Sequence, residues 1–167
     1  MLGQLQNLTH LILRGNSLTG TIPSELGQLD SPARHLDVRS NDLTGTIPTE
    51  LVQLEDLNYL YLAYNSLTGT IPSEFNSLYD LYLTRNSLTG TIPSELGRMP
   101  LTDIYLSHNS LTGTIPTELG QLYSYTKIVL DHNNLTGAVP DEVCENILVE
   151  YWLSVDCSVS CSCCGGC

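Results

Sequence analysis

The hexapeptide Leu-Thr-Gly-Thr-Ile-Pro recurs at Leu18–Pro23, Leu43–Pro48, Leu67–Pro72, Leu88–Pro93 and Leu111–Pro116, and returns as Leu-Thr-Gly-Ala-Val-Pro at Leu135–Pro140. An Asn lies just upstream of each copy, at Asn16, Asn41, Asn65, Asn86, Asn109 and Asn133, with spacings of 25, 24, 21, 23 and 24 residues. Self-similarity at this period means a solenoid, in which each unit buries its apolar face only against its neighbours. The repeated residues therefore report architecture, and individuality lies in the positions that vary between repeats.

Each Asn closes an L-x-x-L-x-L-x-x-N segment, as in Leu57-Asn58-Tyr59-Leu60-Tyr61-Leu62-Ala63-Tyr64-Asn65. The L-x-L alternation predicts a short strand with one face buried, stacked beside its equivalent in the next repeat as a parallel sheet. The Asn amide is suited to satisfying backbone groups where the chain leaves the strand. Ile-Pro turns the chain toward the far side, where Pro-Ser-Glu-Leu or Pro-Thr-Glu-Leu predicts a short helical turn with Pro at its first position. Between Pro72 and Leu81 the chain is about three residues short, which predicts a flattened outer side there, and Arg98-Met99-Pro100 is trimmed as well.

These residues, over positions 1–143, resemble the plant-type class of the leucine-rich-repeat family, whose unit reads L-x-x-L-x-L-x-x-N-x-L-x-G-x-I-P. The resemblance implies an α/β-type solenoid: a leucine-rich-repeat horseshoe with a concave parallel β-sheet, short helical turns on the convex side, and six repeats followed by an imperfect Cys-rich cap at 144–167. The class is similar to ectodomains of receptor-like kinases and receptor-like proteins and to polygalacturonase-inhibiting proteins, which implies recognition of a peptide, steroid, glycan or protein outside the cell. The chain opens at Met1-Leu2-Gly3-Gln4-Leu5, which matches the inside of a repeat and lacks the basic start and apolar stretch of a signal peptide. The expectation is a fragment whose leader lies upstream; the alternative is a short protein whose first half-turn caps itself.

Three outward rows carry the variation. The row between the two buried strand residues reads Ile12, Asp37, Tyr61, Tyr82, Tyr105 and Val129; the row before it reads His10, His35, Tyr59, Asp80, Asp103 and Lys127. The pairs after each strand are Arg14-Gly15, Arg39-Ser40, Ala63-Tyr64, Thr84-Arg85, Ser107-His108 and Asp131-His132. With strands about 4.8 Å apart, Tyr61, Tyr82 and Tyr105 should form a ladder widened by Tyr59 and Tyr64 and framed by Asp80, Asp103, Arg85 and His108. Exposed tyrosines with flanking charge have the composition of a binding hot spot. The same residues would equally arise because sheets favour Tyr and ladder stacking stabilises them.

Two further columns have competing readings. Thr19, Thr44, Thr68, Thr89, Thr112 and Thr136, with Thr21, Thr46, Thr70, Thr91 and Thr114, make a regular array that resembles those of ice-binding proteins. Thr hydroxyls in such turns also satisfy backbone groups, and the uneven repeat lengths are expected to disturb a lattice match. Glu25, Glu50, Glu74, Glu95, Glu118 and Glu142 form a carboxylate column that fits a solvated face at the start of helical turns better than a Ca²⁺ site.

All six cysteines lie at the end: Cys144, Cys157, Cys161, Cys163, Cys164 and Cys167. An even count in a terminal segment of a secreted type of fold predicts a disulfide-stapled cap, with Cys144 paired to Cys157 as the expectation. Thiolate metal binding by Cys161, Cys163, Cys164 and Cys167 is the rival, at a spacing too cramped for paired C-x-x-C knuckles. Asn7 and Asn134 begin N-x-T sequons, candidate glycosylation sites.

The formal net charge of −12 argues against nucleic acid and anionic membrane surfaces as partners. No apolar run approaches the roughly 18 residues of a membrane span, so this segment predicts no membrane insertion. No nucleophile elbow or phosphate-cradling loop is present, and the sequence calls for no cofactor. His108 and His132 occupy equivalent positions in adjacent repeats and are expected to lie close together. The reading is a non-enzymatic extracellular recognition module that binds a peptide, glycan or protein through its concave Tyr-rich face. Inhibition of a secreted hydrolase and ice binding are the alternatives.

Overall fold

The computed structural model describes residues 7–29, 33–146, 153–156 and 158–163. Along the chain run β1 (His10–Ile12), β2 (Thr19–Thr21), β3 (His35–Asp37), β4 (Asp42–Thr44), β5 (Tyr59–Tyr61), β6 (Asp80–Tyr82), β7 (Asp103–Tyr105), β8 (Thr112–Gly113), β9 (Lys127–Val129), β10 (Asn134–Leu135) and β11 (Leu153–Ser154). Seven of these form one parallel sheet in the order β1-β3-β5-β6-β7-β9-β11. Its register is the one the repeat predicts, with Leu36, Leu60, Leu81, Ile104 and Ile128 in a buried row. The seventh strand, Leu153–Ser154, comes from the imperfect segment and extends the sheet past Val129.

The Asn column binds the coils together. The Asn86 amide oxygen accepts from the Leu67 backbone N–H of the preceding coil at 3.0 Å, while its NH₂ donates to Leu62 and Leu83 carbonyls, both at 3.1 Å. Asn41, Asn65, Asn109 and Asn133 repeat this pattern. Among the described residues Asn16 makes the donor half alone, to Leu13 and Arg14 carbonyls. The residue ahead of each Asn (Gly15, Ser40, Tyr64, Arg85, His108, His132) is left-handed, with φ between 54° and 67°. That turn throws its side chain to the rim of the concave sheet.

The convex turns are five-residue 3-10 helices at Ser24–Gln28, Thr49–Gln53, Ser94–Arg98 and Thr117–Gln121. Their prolines stand one residue earlier than the sequence predicts, at the N-cap with extended backbone. Pro23, Pro48, Pro93 and Pro116 therefore deliver the chain into each turn rather than beginning it. Glu25, Glu50, Glu95 and Glu118 lie in the first turns and Glu142 in that of α1 (Asp141–Asn146), where the exposed N–H groups favour negative charge.

The shortened repeat has no helical turn over 73–78, as the deletion predicts. The preceding coil responds to it. A Cβ on Gly27, Gly97 or Gly120 would fall 2.0, 2.0 or 2.5 Å from a backbone carbonyl of the next coil's turn, at Glu50, Glu118 or Glu142. The equivalent position facing the shortened coil is Val52, partly buried against the core. A side chain is accommodated where the next turn is missing and glycine stands where it is present.

The Thr-Gly-Thr flank is a second set of parallel contacts, continuous across the deletion: Thr68, Thr89, Thr112 and Thr136 N–H groups each donate to the preceding coil's Gly carbonyl at 2.7–2.8 Å. The uneven repeat lengths are therefore absorbed on the convex side, and the backbone pairing of this flank runs on across them. Gly90 shows why the middle residue is Gly: its φ is 79°, and a Cβ would lie 2.8 Å from the Thr70 methyl.

Candidate ligand-binding face

The outward rows of the sheet assemble a continuous aromatic surface. Tyr61 and Tyr82 ring centroids are 4.6 Å apart, and Tyr82 and Tyr105 are 4.5 Å apart. Tyr59 lies beside Tyr61 at 6.3 Å. His35 extends the surface, 5.4 Å from Tyr59 and edge-on to Tyr61 at 4.9 Å, and Tyr79 joins at 6.0 Å from Tyr59. His10 continues it, 5.6 Å from His35. Tyr64 does not widen the ladder as the sequence predicts. Its left-handed backbone carries it to the rim, where the Arg85 guanidinium lies 5.7 Å from its ring.

The charges frame this surface asymmetrically. At the strand-entry edge, Asp80 accepts hydrogen bonds from the Tyr61 hydroxyl at 2.6 Å and the Thr102 hydroxyl at 2.8 Å. Asp103 is its neighbour in register. Burial, together with the charge of Asp80, raises the Asp103 carboxyl above its ordinary value. Burial also raises the Tyr61 and Tyr82 phenols, helped by the nearby aspartates, so both stay neutral hydrogen-bonding groups at physiological pH. The Lys127 ammonium lies 5.1 Å from the Tyr105 ring, and its hydrogen bond to Tyr105 raises its pKa.

At the strand-exit side, Arg39 lies under the ladder, and neither it nor its partner was a predicted site residue. Its guanidinium grips Asp37 through Nε at 2.9 Å and an Nη at 2.7 Å, and stacks 4.4 Å from the Tyr61 ring centroid. Asp37 is buried, which works to raise its carboxyl, but the Arg39 hydrogen bonds and charge outweigh this and hold it below the ordinary value. A two-point Arg–carboxylate fork under an aromatic plane fixes Tyr61 in place. Arg39 also lines a shallow groove of about 450 Å³ with Tyr64, Tyr82, Arg85, Tyr105 and His108. The tyrosines thus lie between the Asp80–Asp103 pair at the strand-entry edge, where Lys127 follows in the same row, and Arg39 and Arg85 at the strand-exit side, where Asp131 stands on the rim of the last coil. His108 and His132 meet as expected, their rings stacked at 4.1 Å.

In the C-terminal segment Cys144 is disulfide-bonded to Cys163, not to Cys157 as predicted. The pairing follows the path of the chain, which brings Ser160 back beside Ala138 and so carries the following residues toward α1. With Cys163 in that bond, the four-thiolate set weighed from the sequence is incomplete. Cys161 Sγ lies 3.6 Å from Cys163 Sγ. Cys157, Cys164 and Cys167 lie outside the described residues. Asp156 does a job the sequence did not announce: its carboxylate accepts the His132 and Asn133 backbone N–H groups at 2.6 and 2.9 Å. In the preceding coil the matching N–H groups of His108 and Asn109 donate to backbone carbonyls. Asn7 and Asn134 are exposed.

The Leucine Rich Repeat family signature matches residues 7–29, 33–54, 56–78, 77–99 and 100–122, and the chain belongs to that family. Among solved structures it is similar to PEPR1 in its structure with AtPEP1, at a TM-score of 0.82 and 34% identity over 96% of this chain and 22% of that one. It is likewise similar to the Arabidopsis receptor kinase HAESA, in complex with the peptide hormone IDA and the co-receptor SERK1, at 0.78 and 34% over 91% of this chain and 27% of that one. A plant ice-binding protein aligns at 0.68 and 25% identity, covering 99% of this chain and 76% of that one. The chain thus spans about a quarter of the receptors' length or less, but most of the ice-binding protein's. A search of the curated proteins finds no match. Among the described residues no helix is long and apolar enough to cross a membrane.

Proposed function

We propose that this protein is an extracellular recognition module that binds a peptide or a protein segment along its concave face. The observation that carries the reading is the ladder of Tyr59, Tyr61, Tyr82 and Tyr105, with Asp80 and Asp103 at one side and Arg39 and Arg85 at the other. Aromatic rings with few rotatable bonds give contact area at little entropic cost, and the two charged edges orient a bound chain. Asp80, Asp103, Arg85, His108 and Tyr64 are the proposed polar contacts around that ladder. The similar receptors include structures with a peptide hormone, which supports this ligand class. The disulfide and the exposed sequons at Asn7 and Asn134 fit an oxidising, glycosylating compartment, and glycans at both asparagines are part of the proposal. Residues 144–167 are proposed as the cap of the array.

The test is a binding screen of the oxidised protein against peptide, glycan and secreted-protein arrays, hydrolases included, beside a Tyr82→Ser/Tyr105→Ser variant. That pair spares Tyr61, which is tied to Asp80 and Arg39. Two central hot-spot residues carry roughly 2 kcal/mol each, so affinity is expected to fall about 1,000-fold. A hit that the variant retains at full affinity sinks the assignment of the face.

A second reading, ice binding through the Thr flank, is favoured by the breadth of the match to the ice-binding protein together with the exposure of both Thr columns. Against it, the pairing is staggered: Thr21 stands opposite Thr44 and Thr46 opposite Thr68, so the ranks run obliquely. The hydroxyls of Thr44, Thr68, Thr89, Thr112 and Thr136 donate to Gly carbonyls at 3.2–3.3 Å, which occupies one column with backbone. If the flank binds ice, crystals grown in a nanolitre osmometer become faceted, and Thr70→Tyr/Thr91→Tyr restores round growth. Round crystals with the unaltered protein end this reading.

A further inference from the structure

We propose that His108, His132 and Asp131 form a site for a divalent transition metal ion of the zinc type, at the strand-exit rim of the concave sheet. His108 follows β7, and Asp131 and His132 follow β9. Adjacent coils hold them together: the His108 N–H donates to the Asp131 carbonyl at 3.0 Å and the Asn109 N–H to the His132 carbonyl at 3.1 Å. Donor atoms of the three side chains all lie within 4.8 Å of one another. Two imidazole nitrogens on a tetrahedral zinc stand about 3.3 Å apart, so the stacked His108 and His132 rings would turn toward a common ion on binding.

The surroundings are built around these ligands. Asp131 Oδ2 lies 2.6 Å from His132 Nδ1, which fixes the ring and leaves Nε2 for an ion. The other Asp131 oxygen accepts the Ser154 hydroxyl at 3.0 Å, and the His132 N–H is anchored on Asp156. Asp131 therefore either ligates through a carboxylate oxygen or serves as the orienting partner of His132. Two imidazoles and a carboxylate suit zinc, nickel or copper rather than the all-oxygen shells of calcium and magnesium. The net charge of −12 adds long-range attraction for a cation. His108 also lines the groove with Arg85 and Tyr105, so a bound ion would leave a coordination position at the edge of the proposed ligand face. The site does not depend on that reading, because the ion is held by rim residues alone.

The oxidised full chain, freed of metal, is titrated with Zn²⁺ and separately with Ca²⁺ by calorimetry at neutral pH. One-to-one Zn²⁺ binding is expected, weakened at least tenfold by His108→Gln and by His132→Gln, with no saturable Ca²⁺ binding. Circular dichroism in chelator shows that each variant is folded. No saturable Zn²⁺ binding, Zn²⁺ binding unchanged in both variants, or equal affinity for Ca²⁺ overturns the proposal.

Discussion

Gly97→Ala is expected to cost about 3 kcal/mol or more and to cut the solenoid's cooperativity in its centre. The added methyl would sit 2.0 Å from the Glu118 carbonyl oxygen and 2.3 Å from its carbon. Both are backbone atoms of the neighbouring 3-10 turn, so no side chain can swing away and the two turns must separate. Overpacking of this kind usually costs 1–3 kcal/mol, and backbone against backbone belongs at the upper end. Because stability here sums over neighbouring coils, separating two of them weakens the link between the halves. Gly15→Ala is the control: nothing lies within 4 Å of its Cβ position, and only its φ of 67° opposes a side chain, at about 1 kcal/mol. Urea unfolding followed by circular dichroism measures both. Equal midpoints for the two variants would show that the turn packing is not tight.

Asn86→Ala is expected to lower stability by roughly 2 kcal/mol without touching the core. It leaves the Leu67 N–H without its acceptor and takes one donor from each of the Leu62 and Leu83 carbonyls, which keep Asn65 and Asn109; the three groups belong to two consecutive coils. The partly buried N–H left unpaired costs about 1–3 kcal/mol, reduced where water can enter. Asn86→Asp separates the donor and acceptor halves: a carboxylate still accepts from Leu67 but sets negative charge against two carbonyl oxygens. It should therefore fall as far as the alanine variant. Asn16→Ala supplies the comparison, because Asn16 is exposed and its amide oxygen is not part of a coil-to-coil bond. A loss at Asn86 no greater than at Asn16 would mean that water replaces the ladder at little cost.

Much of this was legible in the sequence for one reason: a solenoid converts sequence period directly into spatial neighbourhood. Once the Asn residues are aligned, Tyr61, Tyr82 and Tyr105 must lie on adjacent strands, and they do. The same logic placed Asp80 beside Asp103, His108 beside His132, and the Glu column at the start of the turns, except for Glu74 in the coil that has no turn. It also located the flattened coil from a gap of three residues. Val52 was readable too: among the four repeats whose turns are 3-10 helices, the column reads Gly27, Val52, Gly97 and Gly120, and Val52 faces the coil that lacks a turn.

What tertiary structure decided was everything that the period does not constrain. The repeat fixes where a Cα stands and which side of the sheet it faces. It does not fix which rotamer a long side chain takes, and so the Arg39 fork on Asp37 and its place against Tyr61 appeared only in three dimensions. Tyr64 left the ladder because its backbone is left-handed, a property shared by the whole column ahead of the Asn residues and carried by Ser, Tyr, Arg and His as readily as by Gly. Beyond Asn133 the repeat ends, and with it the rule that sequence spacing gives neighbours. The Cys144–Cys163 bond and the Asp156 carboxylate in place of two backbone carbonyls depend on the path of a single, unrepeated segment. Sequence by itself determined the coil, its sheet and the rows of its concave face; packing between coils decided which of those side chains are locked beneath the surface and which remain free to meet a partner.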